Sequence, residues 1–121
     1  MIKASRNWFV ISNKLKGIIG EILVIFLYML NLYIPVRHRH KSKLGEIDLI
    51  FRKNDTIVFV EVKMRTGDYD SASILSKSQK QRLINSSTNY LSKRKNYKYS
   101  RLDLAIVESL FSIKIIKNWH L

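Results

Sequence analysis

Cysteine is absent from the 121 residues. That excludes a disulfide-stapled fold, a thiol nucleophile and any thiolate metal site. Four glycines and one proline exclude collagen-like and proline-rich linker architectures. Acids are scarce, with nine Asp and Glu against 22 Lys and Arg, a formal net charge of +13. No clean apolar run approaches the about 20 residues that a bilayer span needs. The cleanest, Ile22 to Leu30, is far shorter, and Glu21 stands at its end. No small-residue cleavage site follows it, so a secretory signal is a poor match.

What is present fits one globular domain over residues 1–121. The apolar share of 46% is ordinary for a packed chain and excludes general disorder. The basic surplus points to a polyanionic partner. An AT-rich genome would also raise the Lys content, whatever the function. The distribution argues against that as the whole explanation. No acid falls between Asp70 and Asp103, whereas Lys77, Lys80, Arg82, Lys93, Arg94, Lys95, Lys98 and Arg101 all do. Before Glu46, only Glu21 opposes Lys3, Arg6, Lys14, Lys16, Arg37, Arg39, Lys41 and Lys43. A basic periphery thus surrounds a small acidic centre.

Residues 13–32 read as a helix, apolar nearly all round and therefore buried. Pro35 ends it. Arg37-His38-Arg39-His40-Lys41 reads as a basic strand end or loop whose histidines face solvent or phosphate rather than a metal. Period-two alternation with β-branched residues marks two strands within residues 45–65. Lys53-Asn54-Asp55-Thr56 turns between them, giving a β-hairpin. A loop over 66–73 leads to a second helix over 76–94, capped by Ser76. Ile84, Ser87 and Leu91 form its sheet-facing stripe, which Lys80 shares. Strands follow at 102–107 and 111–116. The order α-β-β-β-α-β-β predicts an α/β fold, one mixed central sheet flanked by helices.

The chemistry concentrates on the hairpin. Pivoting it between Asn54 and Asp55 sets Asp48 opposite Glu61 and Glu46 opposite Lys63, all on one face. Ile47, Leu49, Phe51, Val58, Val60 and Val62 then form an apolar core face, which fixes the register. Two facing carboxylates repel each other and cost stability. A divalent cation reverses that sign, and carboxylate oxygens with water suit Mg²⁺ or Mn²⁺ rather than zinc. Lys63 can polarise a nucleophilic water or balance charge on a phosphate. Glu21, the one acid of an apolar helix, needs a partner or a metal there. The plain alternative is an exposed hairpin with an ion-pair ladder from Glu46 to Lys63. Lys80 either snorkels to solvent or reaches a scissile phosphate.

These residues resemble a known family. Gly20-Glu21, Gly45-Glu46-Ile47-Asp48-Leu49-Ile50, Val58-Phe59-Val60-Glu61-Val62-Lys63-Met64-Arg65, Lys80-Gln81-Arg82-Leu83 and Arg101-Leu102-Asp103-Leu104 are similar to the bacterial YraN-like family across residues 17–118. The resemblance implies a restriction-endonuclease-like fold of the PD-(D/E)xK type, close to Holliday-junction resolvases. It implies Asp48, Glu61 and Lys63 as the acidic and basic site residues, with Glu21 as the helix glutamate. Resolvase-like relatives are often dimers, so it also implies a homodimer. Two departures stand out. The family's first helix carries Ala and charged residues after the Gly-Glu pair, where this chain has Ile22 to Leu30. The Asn and Arg usual in the next strand are replaced within Arg37 to His40.

The expectation is a Mg²⁺- or Mn²⁺-dependent nuclease that cuts DNA in preference to RNA, on branched or damaged structures, in the cytoplasm. Asp48, Glu61 and Glu21 hold the metal, and Lys63 helps activate water. Lys80, Arg82, Arg65, Arg37, Arg39, Lys77 and Arg101 contact phosphates without reading sequence. The alternatives are a nucleic-acid-binding protein of this fold without turnover and, less favoured, a membrane-associated protein.

Overall fold

In the computed structural model, residues 12–94 and 96–119 are described. Lys3, Arg6 and Lys95, counted above in the basic periphery, lie outside them, as do the ends of the 1–121 domain. Helix α1 spans Asn13–Leu30, its N-terminus closed by Ser12, whose hydroxyl accepts the Leu15 N–H. Strands β1 (Ile34–Ser42), β2 (Gly45–Lys53) and β3 (Thr56–Met64) follow as an antiparallel meander. A short 3-10 turn at Ser71–Ser73 leads into α2 (Lys77–Ser92). Strands β4 (Tyr99–Ser109) and β5 (Ser112–Ile116) close the chain's sheet. The five strands lie in sequence order, with β3 and β4 parallel and every other neighbouring pair antiparallel. The parallel pair needs a crossover, which α2 supplies. The expected α/β order is therefore the observed one.

Helix α2 begins where predicted. Ser76 accepts the Gln79 N–H, and the Gln79 side chain returns to the Ser76 N–H, a reciprocal capping box. Pro35 sits on β1, an edge strand, where a missing N–H costs the ladder nothing.

Both faces of the sheet are buried. On one, α1 contributes Val24 and Tyr28 to a cluster with Leu49, Phe51, Val58, Val60, Val62, Ala105 and Val107. On the other, Leu83 and Tyr90 of α2 pack with Ile47, Ile50, Phe59, Leu104 and Ile106. The single apolar hairpin face expected from parity is thus corrected in one place: Ile47 belongs to the face opposite Leu49. The alternation breaks at Asp48, between Ile47 and Leu49, where no pair is formed between His38↔Leu49 and His40↔Ile47. Arg39, the β1 residue at that step, has a left-handed backbone at φ 54°. The register shift of the β1–β2 ladder lies further along, between Pro35 and Arg37.

The first helix is not buried all round. It buries Gly20, Glu21, Val24 and Tyr28 and leaves Leu15, Ile18, Ile22, Phe26, Met29 and Leu30 exposed. With two layers of helix on one sheet, α1 has only one face to bury. On that face Gly20 brings the helix against β3 and β4: a Cβ there would stand 2.7 Å from Met64 Sδ. The helix is further fixed by a buried polar cluster. The Tyr28 hydroxyl donates to Asp103 at 2.6 Å, and Arg101 donates to both Asp103 oxygens. Asp103 is wholly buried, so these bonds meet the desolvation cost of its charge.

Candidate active site

From Lys53 to Leu49 the hairpin register is the expected one, but the expected Asp48–Glu61 and Glu46–Lys63 pairs are not part of the ladder. Pairs run from Lys53↔Thr56 to Leu49↔Val60. The ladder stops there, one step short of Asp48 and Glu61. The two strands part, and the Asp48 carboxylate takes the place of a backbone partner by accepting the Val62 N–H at 2.8 Å. This side-chain bond satisfies a donor that the divergence would otherwise strand.

Glu61 lies beside Asp48. Burial raises its pKa first, and the Asp48 carboxylate raises it further. Lys63 pulls in the opposite direction, and Glu46 adds a weaker push upward. The carboxyl therefore sits well above the usual carboxylate range. Glu61 opens into a cavity of about 210 Å³ that it shares with Gly45, Glu46, Gln79, Arg82 and Leu83. The floor comes from the hairpin and the wall from the first half of α2. Among the described residues no ion pair joins Glu46 to Lys63, and the ion pairs found are those of Glu21 and Asp103. The ordinary ion-pair ladder is thus missing where the plain alternative requires it.

Glu21 sits on the α1 side and is already engaged. Arg39 Nη2 donates to it at 2.9 Å, with Nε at 3.3 Å, and His38 Nε2 lies 3.5 Å away. The hydrogen bond to Glu21, followed by its charge, raises the Arg39 pKa, with smaller contributions from Glu46 and Asp48. Arg39 is thus held by the helix glutamate and also feels the charge of Glu46 and Asp48.

The remaining sequence candidates are scattered. Arg82 lines the Glu61 cavity. Lys80 Nζ donates to the Ala72 carbonyl at 3.3 Å and lies 5.5 Å from the Trp119 ring centroid. Arg65 donates to the Met64 carbonyl. Lys77 and Arg37 are exposed. Arg101 is committed to Asp103 and the Tyr33 hydroxyl at the far end of α1. Gln79, a second cavity residue from α2, was not singled out by sequence reasoning, because its only sequence signal is that of a helix cap.

Among the described residues no group of three or more His, Cys, Asp or Glu side chains gathers to hold a metal ion. The donor set fits a smaller demand. Mg²⁺ is usually held by one or two carboxylates, with water and substrate phosphate filling the other positions. Asp48 and Glu61 supply that number, and their mutual repulsion is what a cation relieves. No helix among the described residues is long and apolar enough to cross a membrane.

Comparison with known proteins places this arrangement in a family. The uncharacterised protein family UPF0102 matches residues 20–107, from the α1 glycine to the end of the β4 core. A UPF0102 protein of Treponema pallidum (strain Nichols) is 34% identical over 101 residues, covering 80% of each chain. One from Rhizobium etli (strain CIAT 652) is 34% identical over 79 residues, 65% of each chain. One from Ehrlichia ruminantium (strain Gardel) is 47% identical over 47 residues, 39% of this chain and 37% of the relative. The match thus spans less than two thirds of the Ehrlichia and Rhizobium proteins. The matched stretch contains Glu21, Asp48, Glu61 and Lys63. The chain belongs to UPF0102, the YraN-like family of restriction-endonuclease-like proteins.

Proposed function

We propose that the protein is a metal-dependent endonuclease that hydrolyses phosphodiesters in DNA, on branched or damaged structures, in the cytoplasm. One observation carries this reading: Asp48 and Glu61 lie side by side where the hairpin opens, with Lys63 as their cationic neighbour. Folding alone gives little return for such a pair, because two carboxyl groups placed side by side cannot both ionise without repulsion.

Asp48 and Glu61 would hold Mg²⁺ or Mn²⁺. When bound, the ion neutralises phosphate charge and makes its water a stronger acid. The chain's own groups do the rest. The Val62 N–H fixes the Asp48 carboxylate in one orientation. The Lys63 ammonium orients the attacking water and stabilises negative charge growing on the phosphate. Arg82, across the cavity, grips a neighbouring phosphate. Glu21, expected as a third ligand, is engaged by Arg39 and acts in this reading by holding that guanidinium. Exposed cations such as Lys77 and Arg37 add salt-sensitive affinity without sequence preference.

The test is cleavage of labelled duplex, single-strand, flap and four-way-junction DNA, and of RNA, with Mg²⁺, Mn²⁺ or EDTA. Metal-dependent cutting that a Glu61→Ala, Lys63→Ala double variant loses supports the reading and names the substrate. Equal binding by both proteins without cutting favours the second reading, a nucleic-acid-binding module without turnover.

A further inference from the structure

A second concave surface lies on the other side of the β1–β2 turn. It has a volume of about 590 Å³ and is lined by His40, Lys41, Lys43, Asn89, Lys93 and Arg94, with Tyr90 in its wall. The cations come from both sides: Lys41 and Lys43 from the turn, Lys93 and Arg94 from the end of α2. No acid lines it.

Part of this charge has a structural use. Arg94 lies 3.8 Å from the Tyr90 ring centroid and donates to the Tyr90 carbonyl at 3.5 Å. Cations at a helix C-terminus also complement its dipole. That accounts for Lys93 and Arg94. It does not account for Lys41 and Lys43, which face them from another element. Glu46, the cross-strand neighbour of Lys41, lines the Glu61 cavity instead and forms no ion pair with it. The crowding is felt at His40, whose ring meets Tyr90 edge-on at 5.0 Å. Burial, then Arg94, Arg37 and Lys93, hold its imidazole below the ordinary value. Cations gathered around a concave surface repel one another, and an anion seated between them removes that cost.

We infer that this cleft is a phosphate-binding subsite that seats a nucleic-acid backbone a few nucleotides from the Asp48–Glu61 centre. The placement sets the distance. Arg82 lines one cavity and Asn89 the other, seven residues apart on one helix, which is about 10 Å. Projected on a duplex axis, that is about three base-pair steps at about 3.4 Å each. Gly45, where the β1–β2 turn crosses α2 against Ser86, separates the two cavities. Asn89, Lys93 and the Lys41–Lys43 turn thus extend the track that starts at Arg82. The inference rests on the proposed function for its ligand, but not on turnover.

The test uses the full chain and a labelled duplex DNA oligonucleotide in EDTA, with binding followed by fluorescence anisotropy across a salt series. The cleft variant is Lys41→Ala, Lys43→Ala, Lys93→Ala. The control is Lys14→Ala, Lys114→Ala, Lys117→Ala, which removes the same charge from exposed positions elsewhere. A milder Lys41→Gln, Lys43→Gln variant leaves α2 untouched. The cleft variant should bind at least tenfold more weakly, and its slope of log affinity against log salt should be shallower by about 2 to 3. The milder variant should fall between it and the wild type. Equal losses in the cleft and control variants would reduce the effect to net charge and overturn the subsite. Selective loss in the cleft variant, with no cleavage by any of the proteins in Mg²⁺, would uphold the subsite and sink the nuclease.

Discussion

The Asp48 carboxylate accepts the Val62 backbone N–H at 2.8 Å, one residue beyond the point where β2 and β3 stop pairing. A single side chain thereby closes the gap in the ladder and sets the position of the site's first acid. Structure and chemistry share this group, and two substitutions separate them. Asp48→Asn keeps an oxygen for the Val62 N–H and loses the charge, so it should fold with nearly wild-type stability and lose divalent-ion binding. Asp48→Ala strands the donor and should cost about 1–3 kcal/mol. Urea denaturation beside metal titration checks both.

The hairpin was readable because its two strands alternate strictly and its turn is short. The same rule failed one residue past the ladder. Nothing in the sequence marks the break in alternation at Asp48, which leaves Ile47 on the α2 face and Leu49 on the α1 face, nor the left-handed backbone of Arg39 opposite it, at φ 54°. The α1 composition suggested burial all round, but a helix laid on one sheet face hides only one stripe. Glu21 was recognised as an acid in need of a partner. That the partner is Arg39 follows from the packing of α1 beside β1, which the sequence does not display. The basic cleft was invisible because its cations come from segments some 50 residues apart in the chain.

Glu61 gives the protein a pH-dependent stability in the absence of metal. Its folded pKa lies above the ordinary value, so the folded state binds more protons than the unfolded state between the two values. This group's contribution is greatest below about pH 4.3 and falls as pH rises towards the folded pKa. Thermal melts in EDTA from pH 4 to 9 should therefore show wild type losing stability relative to Glu61→Gln as pH rises. Added Mn²⁺ should narrow that gap at high pH. A constant difference between the two proteins would contradict the assignment.

Arg101 serves the fold. Its bidentate bond to the fully buried Asp103 means that Arg101→Ala leaves an unpaired charge inside, at a cost of about 3–5 kcal/mol. Tyr28→Phe removes one donor to the same carboxylate and should cost about 1.5–3 kcal/mol. Loss of DNA affinity in folded Arg101→Lys, with stability retained, would instead assign the residue to phosphate contact.

Gly45 has φ +145°, and a Cβ there would stand 3.0 Å from Ser86 Oγ. Both the backbone and the neighbour resist a side chain. Gly45→Ala should lower stability by about 1–3 kcal/mol. It should also disturb both cavities, since the residue separates them. Chemical denaturation and DNA binding would report the two effects.

Calorimetric titration of Mn²⁺ into the nucleic-acid-free protein shows whether Asp48 and Glu61 form a divalent-ion site. One site is expected in the wild type, absent in Asp48→Asn and in Glu61→Gln, and retained in Arg101→Lys. Undiminished Mn²⁺ binding by the two carboxylate variants, or none by the wild type, would contradict it.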